Sequence, residues 1–424
     1  MISPEPLRRV PLPRLVGMTI FAFALGISIN VLEPAILGHK MLQYAPEWKN
    51  TALGMATFAG LIVAVLVQPI IGQLSDRTRS RFGARAPYLI LGTALVILSH
   101  STIAAAPSLT VVVLGLLGLQ LASNTVQGPW QALVPDQIPS GQRGLASGLK
   151  ATFDILGFIT GRQLGGMLVA RGQVVGAASV AAAAFAGALL VTLISGTRPR
   201  RVYPIRRSDK PPSWLSAFKI DWRHHPAFSL WFVNRMLFWG AIIAVNTFLL
   251  FFIIDVHGLP EPAAQRLVAQ LGVVLGLAVL LFAIPSGWLA DRIGRRTLIA
   301  GACILAAAGV ALLMLLHSPT GLTAGAGFVG IGTGVFLSGS WAMVTDLVPA
   351  EEAARYLGVA NIASAGASAL ARGVGGLVID PLNRATNSLF TGYGFVFAAG
   401  AAALLIAGFI ILRIPSRDDL AART

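Results

Sequence analysis

The chain has 424 residues, 55% of them hydrophobic and only 12% charged, about half the charged share of a soluble domain. That excess of apolar surface excludes both a water-soluble globule and a disordered chain, and the single cysteine, Cys303, excludes a disulfide scaffold and a multi-cysteine metal cluster. A polytopic membrane protein remains, and its net charge of +15 must be read by where the basic residues fall along the chain.

Apolar runs of about 20 residues cross a bilayer as helices. Twelve such runs follow one another, at about 14–37, 51–73, 87–106, 109–134, 144–170, 174–196, 227–255, 264–288, 297–317, 321–346, 354–379 and 390–413. They are continuously apolar and too long for the strands of a barrel. The predicted fold is therefore an all-α membrane protein of twelve transmembrane helices. The first run follows Arg8, Arg9 and Arg14 and lacks a small-residue cleavage site, so it reads as a retained helix rather than a signal peptide. Its only acid, Glu33, precedes Pro34 near the outer end. Such a carboxylate either takes up a proton from outside or sits solvated at the rim.

The second run ends Gly72-Gln-Leu-Ser-Asp76-Arg77, and the loop continues through Arg79, Arg81, Gly83 and Arg85. The fourth carries Asn124, Gln127, Trp130 and Gln131 and closes on Asp136, with Arg143 after it. The fifth holds Lys150, Asp154 and Arg162. Spacings of four and eight put these three on nearly one helix face, where a carboxylate and two cations suit a polar solute or a proton. The competing use is a structural ion pair for Lys150–Asp154 and an interhelix hydrogen bond for Arg162. A polar, basic stretch over about 197–226 follows, and His224 and His225 adjoin it. The seventh run opens with Asn234 and Arg235, where the arginine can snorkel to the surface, and carries Trp239 and Asn246 deeper. The eighth ends Gly287-Trp-Leu-Ala-Asp291-Arg292, with Arg295 and Arg296 beyond it. The tenth ends Trp341-Ala-Met-Val-Thr-Asp346, followed by Arg355, and the eleventh carries Arg372. Glycine runs in the tenth and eleventh permit close packing and bending.

The chain repeats itself. The Gly-x-x-x-Asp-Arg motif recurs 215 residues on, and the Trp-to-Asp segment closing the fourth run recurs with an Asp offset of 210. This divides the chain into an N-terminal bundle (1–196), a cytoplasmic central loop (197–226) and a C-terminal bundle (227–424), the two-half architecture of a large transporter class. With the N-terminus inside, 23 of the 32 basic residues fall in the tails and loops of the cytoplasmic side, five on the opposite side and four within helices. That bias places both termini in the cytoplasm of an inner-membrane protein and accounts for the charge through lipid rather than nucleic acid. The paired motifs read as a cytoplasmic gate: Gly72 and Gly287 for close helix approach, Asp76, Asp136, Asp291 and Asp346 as carboxylates, and Arg77, Arg81, Arg85, Arg143, Arg292, Arg295, Arg296 and Arg355 to meet carboxylates or helix ends. Gly83 completes the first loop motif.

These motifs resemble the signature of the major facilitator superfamily. The longer run from Gly72 through Ser-Asp-Arg-Thr-Arg-Ser-Arg-Phe-Gly83 to Pro87, the segment Ser123 to Asp136 with Gln142-Arg143-Gly144, and Asp221-Trp-Arg-His-His-Pro226 are similar to its glycoside–pentoside–hexuronide and sucrose-carrier branch. Two departures stand out. Ala84 and Ala86 flank a lone Arg85 where the branch has several basic residues, and no acid lies between Thr51 and Leu74, where its sodium-coupled members place acids. The resemblance implies a secondary transporter working by alternating access, proton-coupled rather than sodium-coupled, for a sugar, glycoside or similar small polar solute. Asp154 and then Glu33 are the candidates for the proton. Lys150, Arg162, Asn246, Arg372, Asn124, Gln127 and Trp130 are the candidates for solute contact. The expectation is a monomer in the bilayer with a small-molecule solute and no nucleic-acid partner, no metal, no cofactor and no enzymatic constellation. The alternatives are a proton-coupled exporter of drugs or secondary metabolites, and a sensor or assembly factor that moves nothing.

Overall fold

The structure is a computed structural model and describes residues 9–78, 80, 82–196, 225–347 and 353–414. Among these the long elements are all helices. We number twelve: α1 (Leu12–Tyr44), α2 (Lys49–Arg77), α3 (Ala86–Ala104), α4 (Leu109–Gln137), α5 (Ser140–Val169), α6 (Val174–Gly196), α7 (Pro226–His257), α8 (Glu261–Ile293), α9 (Arg295–Leu315), α10 (Pro319–Leu347), α11 (Ala353–Thr386) and α12 (Thr391–Leu412). In lipid no water is present to satisfy backbone groups, so an apolar run of this length has to close its hydrogen bonds internally.

Ten of the twelve are long and apolar enough to cross a membrane on length and composition alone, and α5 and α11 are not among them. The reason is charge. The α5 segment carries Arg143, Lys150, Asp154 and Arg162, and α11 carries Arg355, Arg372, Asp380 and Arg384. The two helices are related by the repeat, so each half has one polar helix at the same place in its order.

Local chemistry sets the helix ends. Pro87 and Pro226 stand in the first turns of α3 and α7, where a missing N–H costs nothing. Gly258 ends α7 in the left-handed conformation, φ 66°. Two helices overrun their predicted ends by seven residues, α1 to Tyr44 instead of 37 and α11 to Thr386 instead of 379. The extra turns of α1 are tied down, because Lys40 Nζ and Tyr44 OH both donate to the Ala106 carbonyl oxygen, at 3.2 and 2.7 Å.

The chain forms two compact units. One comprises Met1–Pro204 with Pro260–Gln270, the other Ile205–Leu259 with Leu271–Thr424. In the first, α1 packs on α5 and α6, α3 on α4 and α6, and α2 on α4. The opening turns of α8 belong to it as well: Gln265 Nε2 donates to the Ala35 carbonyl oxygen at 3.2 Å, and His39 Nδ1 meets Glu261 Oε1 at 2.8 Å. In the second, α7 packs on α11 and α12, and α9 on α10 and α12. Each of these pairings is one from the first unit moved six helices along. The sequence repeat is thus a repeat of packing.

Candidate functional site

In the first unit the backbone of α1 opens beside a buried charge. Pro34 has no N–H and its ring crowds the preceding turn, so the helix cannot pass through it unbroken. The chain takes a π-turn over Val31–Ile36, with Glu33 extended at φ −111° and ψ 126°. The N–H of Leu37 bonds to the Leu32 and Pro34 carbonyls. The Glu33 carbonyl oxygen, passed over, accepts a hydrogen bond from Arg162 Nη1 at 3.3 Å. Arg162 is 3% exposed, and the Glu33 carboxylate interacts with it electrostatically. Non-helical backbone at membrane depth is tolerated where protein covers it, and Arg162 supplies that cover.

Three glycines bring Arg162 there. Gly157, Gly161 and Gly165 are four residues apart and face α1. A Cβ on Gly161 would lie 2.7 Å from the Ile27 carbonyl oxygen, and one on Gly165 would lie 2.9 Å from Val31 Cα. One on Gly157 would run into the Phe23 carbonyl. The two helices therefore meet backbone to backbone. The signal in the sequence is a glycine at every fourth position, separate from the glycine runs of the tenth and eleventh spans.

Lys150 and Asp154 form the second feature of α5. Nζ donates to Oδ2 at 2.7 Å, and the side chains are 37% and 43% exposed. The pair stands between two helices. The Asp154 backbone carbonyl abuts Gly26 of α1, and Lys150 Nζ lies 5.8 Å from the centroid of the Trp130 ring of α4. The expected single face of three charges is corrected here. Eight residues of helix turn through about 800°, leaving an offset of about 80°. So α5 presents an open ion pair and, two turns on, a buried cation.

The other candidates of this unit are held by protein. Trp130 is 2% exposed, and its indole N–H donates to the Met18 carbonyl oxygen at 2.8 Å. The amide of Asn124 returns to its own helix, to the Gln120 carbonyl oxygen at 2.8 Å. Gln127 is half-buried in α4. A fully buried histidine, His100 of α3, meets Ser28 Oγ of α1 at 3.2 Å. It ties two helices together and had no marking motif.

In the second unit the polar centre lies on α7. Arg235 is not at the helix opening, because α7 begins at Pro226. It does not snorkel; it is 4% exposed. Its Nε donates to Ser364 Oγ of α11 at 2.9 Å, and its Nη1 donates to Ser340 Oγ of α10 at 3.2 Å. The guanidinium carbon stands 4.9 Å from the Trp341 ring centroid and 5.4 Å from that of Trp231. Trp231 in turn donates to the Ser340 carbonyl oxygen at 3.0 Å. Ser340 and Ser364 belong to no motif, and only the fold brings them to Arg235. Asn246 and Arg372 are half-buried in α7 and α11.

At the cytoplasmic motifs, Arg85 bonds to Asp136 Oδ2 through Nε and Nη2, at 3.3 and 3.1 Å, and to Ser75 Oγ through Nη1. One arginine thereby joins the ends of α2 and α4 within the first unit. Arg143 Nε donates to the Ile138 carbonyl oxygen at 3.2 Å, and Arg77 is exposed. Gly83 takes φ 93° in the loop, a conformation that favours glycine. A Cβ on Gly72 would meet nothing within 4 Å, and on Gly287 only Ser338 Oγ at 3.5 Å, so neither glycine is required by packing inside its own unit. Arg292 lies 3.7 Å over the Trp288 ring, and Arg296 caps α12 through the Ile414 carbonyl oxygen. Arg295 is half-buried at the start of α9. Arg81, with residues 197–224 of the central loop, lies outside the described residues, as do the side chains of Asp76, Asp291, Asp346 and Arg355.

A model of the Major Facilitator Superfamily matches residues 15–371 and 263–423. The chain belongs to that superfamily. This facilitator is a multi-pass membrane protein. It is similar to the sucrose transport protein SUT4 of Oryza sativa subsp. indica, 30% identical over 136 residues that make up 25% of this chain and 23% of that one. It is also similar to the sucrose transport protein SUC4 of Arabidopsis thaliana, 26% identical over 161 residues, 33% of this chain and 30% of the other. The chain thus matches between about a quarter and a third of the length of these relatives. Among solved structures it shares its fold with the nucleoside transporter NupG, with a TM-score of 0.71 at 15% identity over 95% of this chain and 98% of that one. It shares it as well with a bacterial homologue of the human lysosomal transporter Spinster in an inward-facing, occupied conformation, with a TM-score of 0.67 at 17% identity over 96% of each.

Proposed function

We propose that this facilitator is a proton-coupled symporter of a sugar, glycoside or similarly small polar solute, working by alternating access. The observation that carries the proposal is the open Lys150–Asp154 pair in the middle of a membrane-spanning helix. An ionised side chain at the bilayer centre costs roughly 2.5–3.5 kcal/mol or more unless water or a partner reaches it. Here each is the other's partner, and both are partly exposed, as a carboxylate that exchanges a proton has to be. While Asp154 is ionised it holds the Lys150 ammonium. Once protonated it releases Lys150, which can then donate to a solute hydroxyl. Proton and solute would in this way occupy the site together. The sucrose transport proteins among its relatives support a sugar-like solute. The absence of acids between Thr51 and Leu74 favours the proton over sodium. Glu33, bound up with Arg162 at the break in α1, is the second carboxylate in reach of this role. The cytoplasmic motifs around Arg85 and Asp136 serve as the inner gate. The bias of basic residues supports an inner-membrane monomer with both termini in the cytoplasm.

Asp154→Asn in proteoliposomes is expected to abolish uptake driven by a pH gradient while solute counterflow, which needs no net proton movement, continues. Unchanged gradient-driven uptake would overturn the assignment of Asp154.

A further inference from the structure

Charged side chains of the first unit pair with one another, whereas a buried arginine of the second is held by hydroxyls. In the first, Lys150 faces Asp154, Arg85 faces Asp136 and His39 faces Glu261. In the second, Arg235 sits nine residues into the 32-residue helix α7, about 14 Å along its axis and within its first third. It is buried, yet no carboxylate pairs with it among the described residues. A buried cation left unpaired is among the most costly arrangements a protein can hold, and within a membrane it marks a functional site.

The surroundings point to what would pair with it. Nε and Nη1 are taken by the hydroxyls of Ser364 and Ser340, which hold the planar guanidinium in a fixed orientation. Nη2 bonds to none of the described residues, and it is not among the buried unsatisfied atoms. It is therefore the nitrogen of this guanidinium that is neither bonded nor fully buried. One turn further along α7, on the same face, the indole N–H of Trp239 is buried without a hydrogen-bond partner. Guanidinium and indole N–H are donors only. Two donors without acceptors, one of them a cation, call for an acceptor that carries negative charge. Trp341, 36% exposed with its ring 4.9 Å from the guanidinium, offers an apolar face beside them.

We infer that Arg235 is an oxyanion subsite, and that the solute of this transporter carries a carboxylate or phosphate group. The inference rests on the transporter reading and narrows its solute from a neutral sugar to an acidic one. The C–H face of the solute lies toward the Trp341 ring, and its oxyanion pairs with Nη2.

The test is equilibrium binding, with no gradient, so it is independent of proton coupling at Asp154. The full-length protein is placed in nanodiscs of phosphatidylcholine alone, at fixed sodium chloride concentration. Glucose 6-phosphate and gluconate are compared with glucose, reading tryptophan fluorescence and thermal unfolding. The expected result is saturable quenching and a rise of several degrees in the unfolding midpoint with the two anions, and at least a tenfold weaker response to glucose. Arg235→Gln removes the preference, whereas Arg235→Lys, which keeps the charge but not the planar fork, retains part of it. Equal responses to glucose and to the anions overturn the inference, as does an Arg235→Gln protein that still prefers the anions. A response only when phosphatidylglycerol is added to the nanodiscs, with none to the soluble anions, also overturns it, since the site would then hold a lipid headgroup. If Arg235→Gln does not fold, the comparison of ligands on the unaltered protein still decides.

Discussion

Charges buried in a membrane protein sort by what each one touches. Arg162 is enclosed and occupied by the Glu33 carbonyl. Arg235 is enclosed and held by two serines. Lys150 and Asp154 are open. An exposed pair one turn apart contributes little to stability, about 0.3–0.5 kcal/mol. Lys150→Ala is therefore expected to shift the unfolding midpoint of the detergent-solubilised protein by no more than about two degrees, while gradient-driven uptake falls at least tenfold. A large loss of stability with intact uptake would make the pair a structural brace. This pair was legible in the sequence because both partners lie on one helix at a spacing of four. The environment of Arg235 was not. Ser340 and Ser364 are more than a hundred positions away, and neither hydroxyl belongs to a motif. Arg235 lies eight residues inside the span predicted for α7, and its burial comes from partners on α10 and α11 that the run itself does not reveal.

At the scale of elements, the contact of α1 with α5 differs from its counterpart in the second unit. A Cβ on Gly161 would meet main-chain atoms of Ile27, whereas one on Gly375 of α11 would meet the ring of Phe248 on α7, at 2.6 Å. A ring can turn aside; a backbone cannot. Gly161→Leu should then force α1 away from α5, with a loss of about 1–3 kcal/mol, read as a fall of several degrees in the unfolding midpoint. Gly148→Ala, on the same helix with nothing within 4 Å, serves as the contrast and should be neutral or slightly stabilising. Equal behaviour of the two variants would mean that the glycine seam does not set the helix spacing. The existence of the twelve helices followed from run length alone, since lipid leaves the backbone so few choices. Their ends did not, because the outer turns of α1 are kept helical by Lys40 and Tyr44 bonding to Ala106, a contact between segments more than sixty residues apart.

At the scale of the whole molecule, the repeat shows in the order of packing but not in the use of equivalent residues. With the closing Asp residues 210 apart, Trp130 matches Ser340 and Trp341 stands one residue, about 100° of helix, further on; Trp130 is enclosed at 2% exposure and Trp341 is open at 36%. In the first unit α4 supplies the indole that bonds to α1, and in the second α7 supplies the one that bonds to α10. The sequence halves therefore predicted the architecture and overstated the symmetry of its chemistry. Orientation, read from the side on which arginines gather, has a direct check. With Cys303→Ala as background, cysteines at Gln173 and Ser318 should react with a membrane-impermeant maleimide in intact cells, and one at Gly141 only after permeabilisation. The reverse pattern would invert the topology.

The lone positive charge at Arg235 also bears on energetics. A neutral solute entering with a proton carries one net charge across the bilayer, and the membrane potential then acts on it at about 2.3 kcal/mol per 100 mV. An anionic solute of charge −1 that neutralises Arg235 and travels with one proton carries none. Such a carrier is electrically silent. Accumulation of gluconate should follow the pH gradient and be indifferent to a potassium diffusion potential set with valinomycin, whereas uptake that rises with interior-negative potential would show that positive charge crosses with the solute. A cell using this protein could then load its substrate even where the voltage across its membrane is low.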